Sequence, residues 1–528
     1  MNTNYTVHKY CLWLMLLLLG PALFYNLGLI GIMADEPTRA NVAMEMMYSG
    51  NYLVSKITDL YYYKKPPLFN WVLVILYQIT GSKSEFVTRL AAVIPLLLFA
   101  LRLFVIVRKQ LNTEVALLVA FISITYGRML FYDSMLGHID ILYAWITFES
   151  FYWLYVDYPK GKFFLLFLSF YAFHAVGFML KGLTSLAFPV LTLLAMGWHQ
   201  RQFKWLFSFK HVAAALIAFT PVFLFFWLYS SQHSIWGWVD QLWDQSRQRT
   251  ILDKTLWESI RHLFTFPLDQ FMHLAPWSLL TVFLFRNQAV QKIKQHPFLM
   301  YLFWVLMLNI LPYWASPGYY PRYLFMLYPI IFIFWGFAFF ESYANNPADF
   351  KWSNLTFKIL NILVIVGFIG VLIYLKFDLL EWRFFMVLLL LLVCIVALHL
   401  NQQQGIWLFV SFLLVVRIGF NLYVLPHRAI FGSANIQKQQ ALDVIQSAAG
   451  KPLHLLTPNT GINHNYIYYF ERERGQTLTI KPLDTSSLFI VHPEEIPSMK
   501  YQTLNTFTID YEDWVLHLVK FNEYPNTQ

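Results

Sequence analysis

The sequence predicts a mainly α-helical bundle threaded repeatedly through a membrane, with helices lying along its outer face and a small α/β domain at the C-terminus. Three observations predict it. Of the 528 residues, 58% are hydrophobic and only 13% charged. Apolar runs long enough to cross a hydrocarbon core of about 30 Å, which takes roughly 20 helical residues, recur along the chain. Beyond residue 427 the composition turns to that of a soluble domain.

The apolar runs are Cys11–Met33, Phe86–Val107, Val115–Phe131, Ile139–Val156, Phe163–Leu180, Leu183–Trp198, Val212–Tyr229, Phe271–Phe285, Phe298–Trp314, Tyr323–Phe340, Ile359–Leu375, Phe384–Leu400 and Ile406–Val424. They amount to about thirteen spans. Lysine and arginine collect at alternate span ends, at Arg108-Lys109, Lys160 with Lys162, Arg201 with Lys204 and Lys210, Arg286 with Lys292 and Lys294, and Lys351 with Lys358. Cytoplasmic loops carry that excess, so these ends are expected inside, while the loop starting at Asp35 and the segment after His427 are expected outside. The net charge of +9 is then a topology signal, and no nucleic-acid partner is implied. The first span is too long for a cleavable signal and lacks a small-x-small cleavage pattern at Ile32-Met33-Ala34, so it is expected to be retained. Only Cys11 and Cys394 occur, far apart and in apolar runs, which argues against a disulfide framework or a cysteine metal site.

Residues 1–426 are therefore expected to form the membrane domain, with large outer loops at 34–85 and 230–270, and residues 427–528 a small soluble domain. In the first loop, Pro37 suits a helix's first turn, with Asp35 or Glu36 as cap. Val42, Ala43, Met46 and Met47 form an apolar stripe ending at Gly50, so this helix should lie in the interface. A second helix should follow Lys65-Pro66-Pro67 and run through Trp71, Leu73 and Leu76 to Gly81. The short outer segment Tyr132–Asp140 carries another acid pair, and Ser316–Arg322 is a tight turn. In the C-terminal domain a polar helix, Asn435–Ala449, should end at Gly450, with β-like runs at Leu453–Leu456, Leu488–Val491 and Trp514–Val519.

Bases also occur on the base-poor outer face, at Lys64, Lys65, Lys181, Arg247, Arg249 and Arg322, beside the acids Asp35, Glu36 and Asp140. Charges at a membrane mouth that defy the insertion cost usually mark function. Acids with bases fit a reaction in which a carboxylate removes a proton from an acceptor while fixed cations receive a departing phosphate. That describes glycosyl transfer from a lipid phosphate. A transporter of a lipid-linked sugar is the rival reading, but it would bury its ionisable groups at midplane on broken helices in two repeated halves, and no such repeat is evident. A noncatalytic assembly role is a third.

Five motifs carry a resemblance: Asp35-Glu36-Pro37-Thr38-Arg39, Tyr63-Lys64-Lys65-Pro66-Pro67-Leu68-Phe69-Asn70-Trp71, Lys181-Gly182-Leu183, Pro276-Trp277 and Pro321-Arg322-Tyr323. In this order, over roughly residues 10 to 345, they resemble the bacterial lipid A aminoarabinose transferases and, more broadly, the protein O-mannosyltransferase-like GT-C glycosyltransferases. The resemblance implies a polyprenyl-phosphate-linked sugar donor, a site on the periplasmic face of the inner membrane among membrane lipids, and a glycolipid or protein acceptor. It further implies Asp35 as catalytic base or acceptor-orienting acid with Glu36 its neighbour, and Asp140 as the acid of the second outer loop. Lys65 and Lys181 would bind phosphate, joined by Arg247, Arg249 and Arg322, while Tyr63, Lys64 and Tyr323 would contact substrate. Inversion at the anomeric carbon is expected from the family. Where the family has Glu before Lys-Pro-Pro this chain has Lys64, which removes an acid that can serve a metal site there, so no metal or other cofactor is expected.

Overall fold

In the computed structural model, residues 9–247, 256–345, 347–374, 386–387, 390, 405–496, 500–509 and 514–522 are described. The chain divides into two compact units. The first comprises Met1–Tyr25, Ala92–Phe226 and Trp238–Tyr423, and the second Asn26–Ala91, Trp227–Gly237 and Val424–Gln528.

Helices make up the regular structure described in the first unit. Six helices among the described residues are long and apolar enough to cross a membrane, or seven if the bent pair Thr113–Thr125 and Gly127–Met135 is one span. The expected spans Phe86–Val107, Phe163–Leu180 with Leu183–Trp198, Val212–Tyr229, Phe298–Trp314 and Ile406–Val424 correspond to helical stretches in this set, whereas Phe384–Leu400 falls almost wholly outside the described residues. Two expectations need correction. The run Cys11–Met33 forms a helix only over Lys9–Phe24, and Phe271–Phe285 is the end of helix Leu256–His273 followed by a separate 3-10 segment, Trp277–Phe285. Apolarity continues across both runs, but Pro276 has no backbone N–H with which to extend a helix.

The bend after Thr125 is fixed by partners outside its own helix. The N–H of Gly127 donates to the carbonyl of Ala275 at 2.7 Å, and the Trp277 indole donates to Thr125 Oγ1 at 3.0 Å. A Cβ on Gly127 would stand 2.9 Å from the Ala275 oxygen, which is why this approach needs glycine. Arg417, fully buried in helix Gly405–Gly419, donates to the carbonyls of Ala22 and Leu130. An arginine among apolar helices is tolerated when such oxygens meet it, and here they join the first helix to the segment leading into Asp133.

The second unit holds two helices, Glu36–Ser49 and Leu68–Thr80, each closed by a left-handed glycine, Gly50 and Gly81, at the positions the sequence indicates. Between them lies a two-stranded hairpin of β1 (Lys56–Ile57) and β2 (Leu60–Tyr61). Helix Ser433–Ala448 ends where Ala449 and Gly450 turn left-handed. It leads into β3 (Leu453–Leu455), helix His464–Arg474, β4 (Thr479–Ile480), β5 (Leu488–Val491), β6 (Tyr501–Ile509) and β7 (Trp514–Phe521). The sheet order is β4-β3-β5-β7-β6, parallel across β4-β3-β5 and antiparallel across β5-β7-β6. Phe489, Val491, Ile496, Val519 and Phe521 form its core.

Helices Glu36–Ser49 and His464–Arg474 pack together through more than apolar contact. Asn41 Nδ2 donates to the His464 carbonyl at 3.0 Å and the Tyr48 hydroxyl to the Glu471 carbonyl at 2.9 Å. Two buried carboxyl groups face each other here. Glu45 accepts the Thr58 N–H at 2.5 Å and Glu471 accepts the Leu478 N–H at 3.0 Å. Burial pushes Glu45 up to about 7 despite the Thr58 N–H, and Glu471 is raised well above the carboxylate range by burial and then by Glu45. An acid raised in the folded state contributes stability that is complete below its ordinary value of 4.5 and lost as pH climbs through about 7. The melting temperature of the detergent-solubilised protein should therefore fall between about pH 5 and pH 8, and Glu45→Gln should flatten that slope, as differential scanning fluorimetry across pH will show.

Candidate functional site

Each unit carries part of the charge set that the sequence singles out. In the first unit, Asp140 begins helix Asp140–Asp157, where the helix dipole favours a carboxylate. Lys181 ends helix Phe163–Lys181, immediately before Gly182 at φ 72°, a backbone state that suits glycine alone. That turn stops the helix with the lysine facing Asp140. Lys181 Nζ stands 2.5 Å from Asp140 Oδ1, and both side chains are buried. Arg322, in the 3-10 turn Pro321–Leu324, places Nε 3.6 Å from Asp140 Oδ2.

Aromatic rings enclose the cations. The Lys181 ammonium lies 4.7 Å from the centre of the Tyr143 ring and 4.6 Å from that of Tyr323, and the Arg322 guanidinium lies 4.8 Å from the centre of the Tyr320 ring. Ring faces stabilise a cation when water is scarce, and leave its charge available to an anion. Neighbouring side chains tie down the turn bearing Arg322. Gln270 Nε2 donates to the Tyr319 hydroxyl at 2.6 Å, while the Tyr328 hydroxyl donates to Gln270 Oε1 at 2.7 Å and approaches the Pro321 carbonyl at 3.2 Å. A second pair, Arg128 with Asp133 at 2.7 Å, lies within electrostatic reach of Asp140 and Arg322. Among these side chains three cations face two carboxylates, an excess of positive charge in a largely buried setting that suits a phosphate oxyanion.

In the second unit, Asp35 is exposed and stands at the N-cap position of helix Glu36–Ser49, without a side-chain capping bond. Its neighbour is fully buried. Glu36 Oε1 and Oε2 accept from Arg89 Nε and Nη2 at 3.0 and 3.1 Å, and Oε2 also accepts the Met33 N–H at 3.1 Å. Arg39 Nη1 donates to the Tyr62 hydroxyl at 2.6 Å. Burial first, and then the Asp35 carboxylate, raise Tyr62 above the usual phenol range against the opposing pull of Arg39, so Asp35 is close to this pair.

The Lys-Pro-Pro motif comes next along the chain. Lys64 is exposed, Lys65 half-buried, and Pro66 and Pro67 buried ahead of helix Leu68–Thr80. The Tyr63 hydroxyl meets His233 Nε2 at 2.7 Å, and Tyr61 stacks on the same imidazole at 3.6 Å between ring centres.

The structure therefore brings Asp140, Lys181, Arg322 and Tyr323 together in the first unit, while Asp35, Glu36, Tyr63, Lys64 and Lys65 belong to the second. Arg247 ends helix Trp236–Arg247, and Arg249 lies outside the described residues. Sequence reasoning passed over Arg128, Tyr143, Gln270 and Arg89, and singled out Asp133 only as half of the acid pair in Tyr132–Asp140. Arg128 left a signal, as another base beside an outer segment and close in sequence to Asp133. Among the described residues no group of three or more His, Cys, Asp or Glu side chains has the arrangement to hold a metal ion.

With these distances established, the fold can be compared with solved structures, and it is shared with ArnT. The crystal structure of ArnT from Cupriavidus metallidurans bound to undecaprenyl phosphate superposes with a TM-score of 0.70 over 97% of this chain and 98% of that one, at 15% identity; its apo state gives 0.70 over 96% and 97%, at 16% identity. A family model described as dolichyl-phosphate-mannose-protein mannosyltransferase matches residues 64–227. In sequence the chain is similar to undecaprenyl phosphate-alpha-4-amino-4-deoxy-L-arabinose arabinosyl transferase 2 of Proteus mirabilis (strain HI4320), 29% identical over 35% of this chain and 34% of that protein. It is similar also to the undecaprenyl phosphate-alpha-4-amino-4-deoxy-L-arabinose arabinosyl transferase of Edwardsiella ictaluri (strain 93-146), 27% identical over 47% of this chain and 43% of that protein. The matched part spans about a third to under half of these relatives' length. The chain is a multi-pass membrane protein whose fold is that of these ArnT structures.

If Lys181 is held chiefly by Asp140, Lys181→Met should destabilise the protein by up to about 3–5 kcal/mol, because the buried Asp140 carboxylate then keeps only its longer contact with Arg322. The double variant Lys181→Met with Asp140→Asn should recover most of that loss, which thermal unfolding of the four proteins in one detergent will measure.

Proposed function

We propose that this chain is an integral membrane glycosyltransferase that moves a sugar from a polyprenyl-phosphate donor to an envelope acceptor on the periplasmic face of the bacterial inner membrane. The observation that carries this reading is the buried Lys181–Asp140–Arg322 cluster, in which two cations share one carboxylate at the ends of apolar helices. The positive excess of this cluster fits the phosphate of a lipid carrier. The relatives whose names include an undecaprenyl-phosphate sugar support the same donor class.

In the reaction, an acceptor oxygen attacks the anomeric carbon on the face opposite the phosphate. A carbon–oxygen bond forms there as the bond to the phosphate oxygen breaks, which inverts the centre. Asp35, exposed at its helix N-terminus, takes the acceptor's proton, and the electron pair of the broken bond stays on the phosphate. Lys181 and Arg322 compensate that charge, with Lys65, Arg247 and Arg249 as further phosphate ligands. Asp140 holds Lys181 and Arg322 until the phosphate arrives. Tyr63, Lys64 and Tyr323 contact the substrates. Glu36, buried against Arg89, contributes by fixing its neighbour.

The acceptor is a glycolipid such as lipid A, or a protein. The cation Lys64, standing where the resembled family has an acid, gives this chain a different charge beside the motif, so the sugar need not be aminoarabinose. Residues 427–528, folded around a mixed sheet, are assigned to the periplasmic side as a soluble appendage.

Mass spectrometry of envelope glycolipids and glycoproteins from wild-type cells, a deletion strain and an Asp35→Asn strain tests the proposal. One species should lose a single sugar in both mutants, the rate falling by about 10²–10⁴ for the base variant. Unaltered glycans in Asp35→Asn, with the protein present in the membrane, would refute the role of Asp35. In purified protein, Lys181→Ala and Lys65→Ala should raise the donor KM, and unchanged donor titrations would remove both from the phosphate site.

A further inference from the structure

The proposed base is exposed, and the strand of chain leading to it, Asn26–Asp35, has no regular secondary structure. An exposed carboxylate on irregular chain would wander over many positions, whereas proton removal in a transition state tolerates little displacement. Something has to hold this strap, and Arg89 does so with its whole guanidinium. Nη1 donates to the carbonyls of Leu27 at 2.7 Å and Ile30 at 3.0 Å. Nη2 donates to the Gly31 carbonyl at 3.0 Å and to Glu36 Oε2 at 3.1 Å, and Nε to Glu36 Oε1 at 3.0 Å. The five N–H donors of an arginine are thereby all used, three on the strap before Asp35 and two on the residue after it.

The surroundings show that this clamp is built in. Arg89 and Glu36 are both buried, so the pair is a desolvated one whose geometry has to be good to be tolerated. Gly28 lies against the first turn of the helix that carries Arg89, where a Cβ would stand 2.7 Å from the Phe86 Cβ. Gly31 N–H donates to Asn435 Oδ1, and the Ile32 N–H donates to the Tyr469 hydroxyl at 3.0 Å. Tyr469 donates in turn to Glu85, which is paired with Lys438 and Arg472 at 2.8 Å each. At the exit of the strap, Ala34 adopts a left-handed φ of 56° and turns the chain into Asp35.

We infer that Arg89, acting through Glu36, is a positioning residue for the proposed base: it locks the strap Leu27–Asp35 to the start of helix Glu36–Ser49 and so fixes where the Asp35 carboxylate meets the acceptor. This rests on the reading of Asp35 as the base. It separates the two acids of the Asp-Glu motif by role. Asp35 touches the reacting proton, and Glu36 serves as the anchor that its burial and bidentate pairing make it. Lysine cannot replace Arg89, because one ammonium offers three donors from a single point and cannot span two carboxylate oxygens and three carbonyls.

The test measures kcat, donor KM and the pH profile of kcat/KM for purified Arg89→Lys, Glu36→Gln and Asp35→Asn, each checked for a monodisperse peak by size exclusion. Glu36→Gln keeps the shape and one carbonyl acceptor, so it reports on the clamp even where Arg89→Lys fails to fold. The expected result is a fall in kcat of about 10- to 100-fold in both clamp variants with the donor KM within about twofold of wild type, and a shifted acid limb of the pH profile. A merely structural role would lower the active fraction and leave the acid limb in place, and that outcome overturns the inference. Wild-type kcat in both clamp variants beside an inactive Asp35→Asn overturns the inference and leaves the function standing. Wild-type turnover in Asp35→Asn overturns both.

Discussion

A charge surrounded by apolar helices has to be compensated where it stands, and this requirement organises much of the molecule. In the first unit Asp140 answers Lys181 and Arg322, and Arg417 is met by carbonyl oxygens of the first helix and of the broken helix before Asp133. In the second unit Arg89 answers Glu36, and Glu85 is shared by Lys438 and Arg472. Each compensation ties together segments far apart in sequence. Neutralisation therefore also sets where helices begin, stop and bend.

The same constraint separates structural charges from functional ones. Arg89 and Glu36 pair with each other and with the backbone of the strap, which makes them an anchor. In the Lys181 cluster two cations share the Asp140 carboxylate and lie against the faces of Tyr143, Tyr320 and Tyr323. Ring faces hold a cation without neutralising it. An anionic group entering there gains two charge-assisted partners, while loosening Asp140 from one of them. Asp35 is exposed beside the buried Tyr62 and Arg39 pair.

Local signals made many elements legible in the sequence. Glycines marked the ends of the helices that close at Gly50, at Gly81 and just before Gly450, and β-like runs marked the strands at Leu453, Leu488 and Trp514. Helix His464–Arg474 was hidden because its core, Tyr466-Ile467-Tyr468-Tyr469-Phe470, is made of residues that favour strands, and tertiary burial overrides that preference. Span boundaries failed where apolarity ran on past a backbone break, as at Pro276. The motifs named Asp140, Lys181, Arg322 and Tyr323 individually, but their convergence is a product of packing between helices and was not visible in spacing. Arg89 read as an ordinary base at the head of a span, since nothing local shows that three carbonyls and a carboxylate await it.

The central claim is that this protein breaks the bond between a sugar and a lipid phosphate. The most direct measurement is reconstitution of the purified protein in proteoliposomes with an undecaprenyl-phosphate sugar labelled in the sugar and an extract of envelope acceptors, followed by chromatography of the lipids. A glycosyltransferase moves the label to a new glycosidic product while free undecaprenyl phosphate accumulates in equal amount, and that is the predicted result. Label that crosses the bilayer still attached to undecaprenyl phosphate, with no new product, would contradict it and identify a transporter.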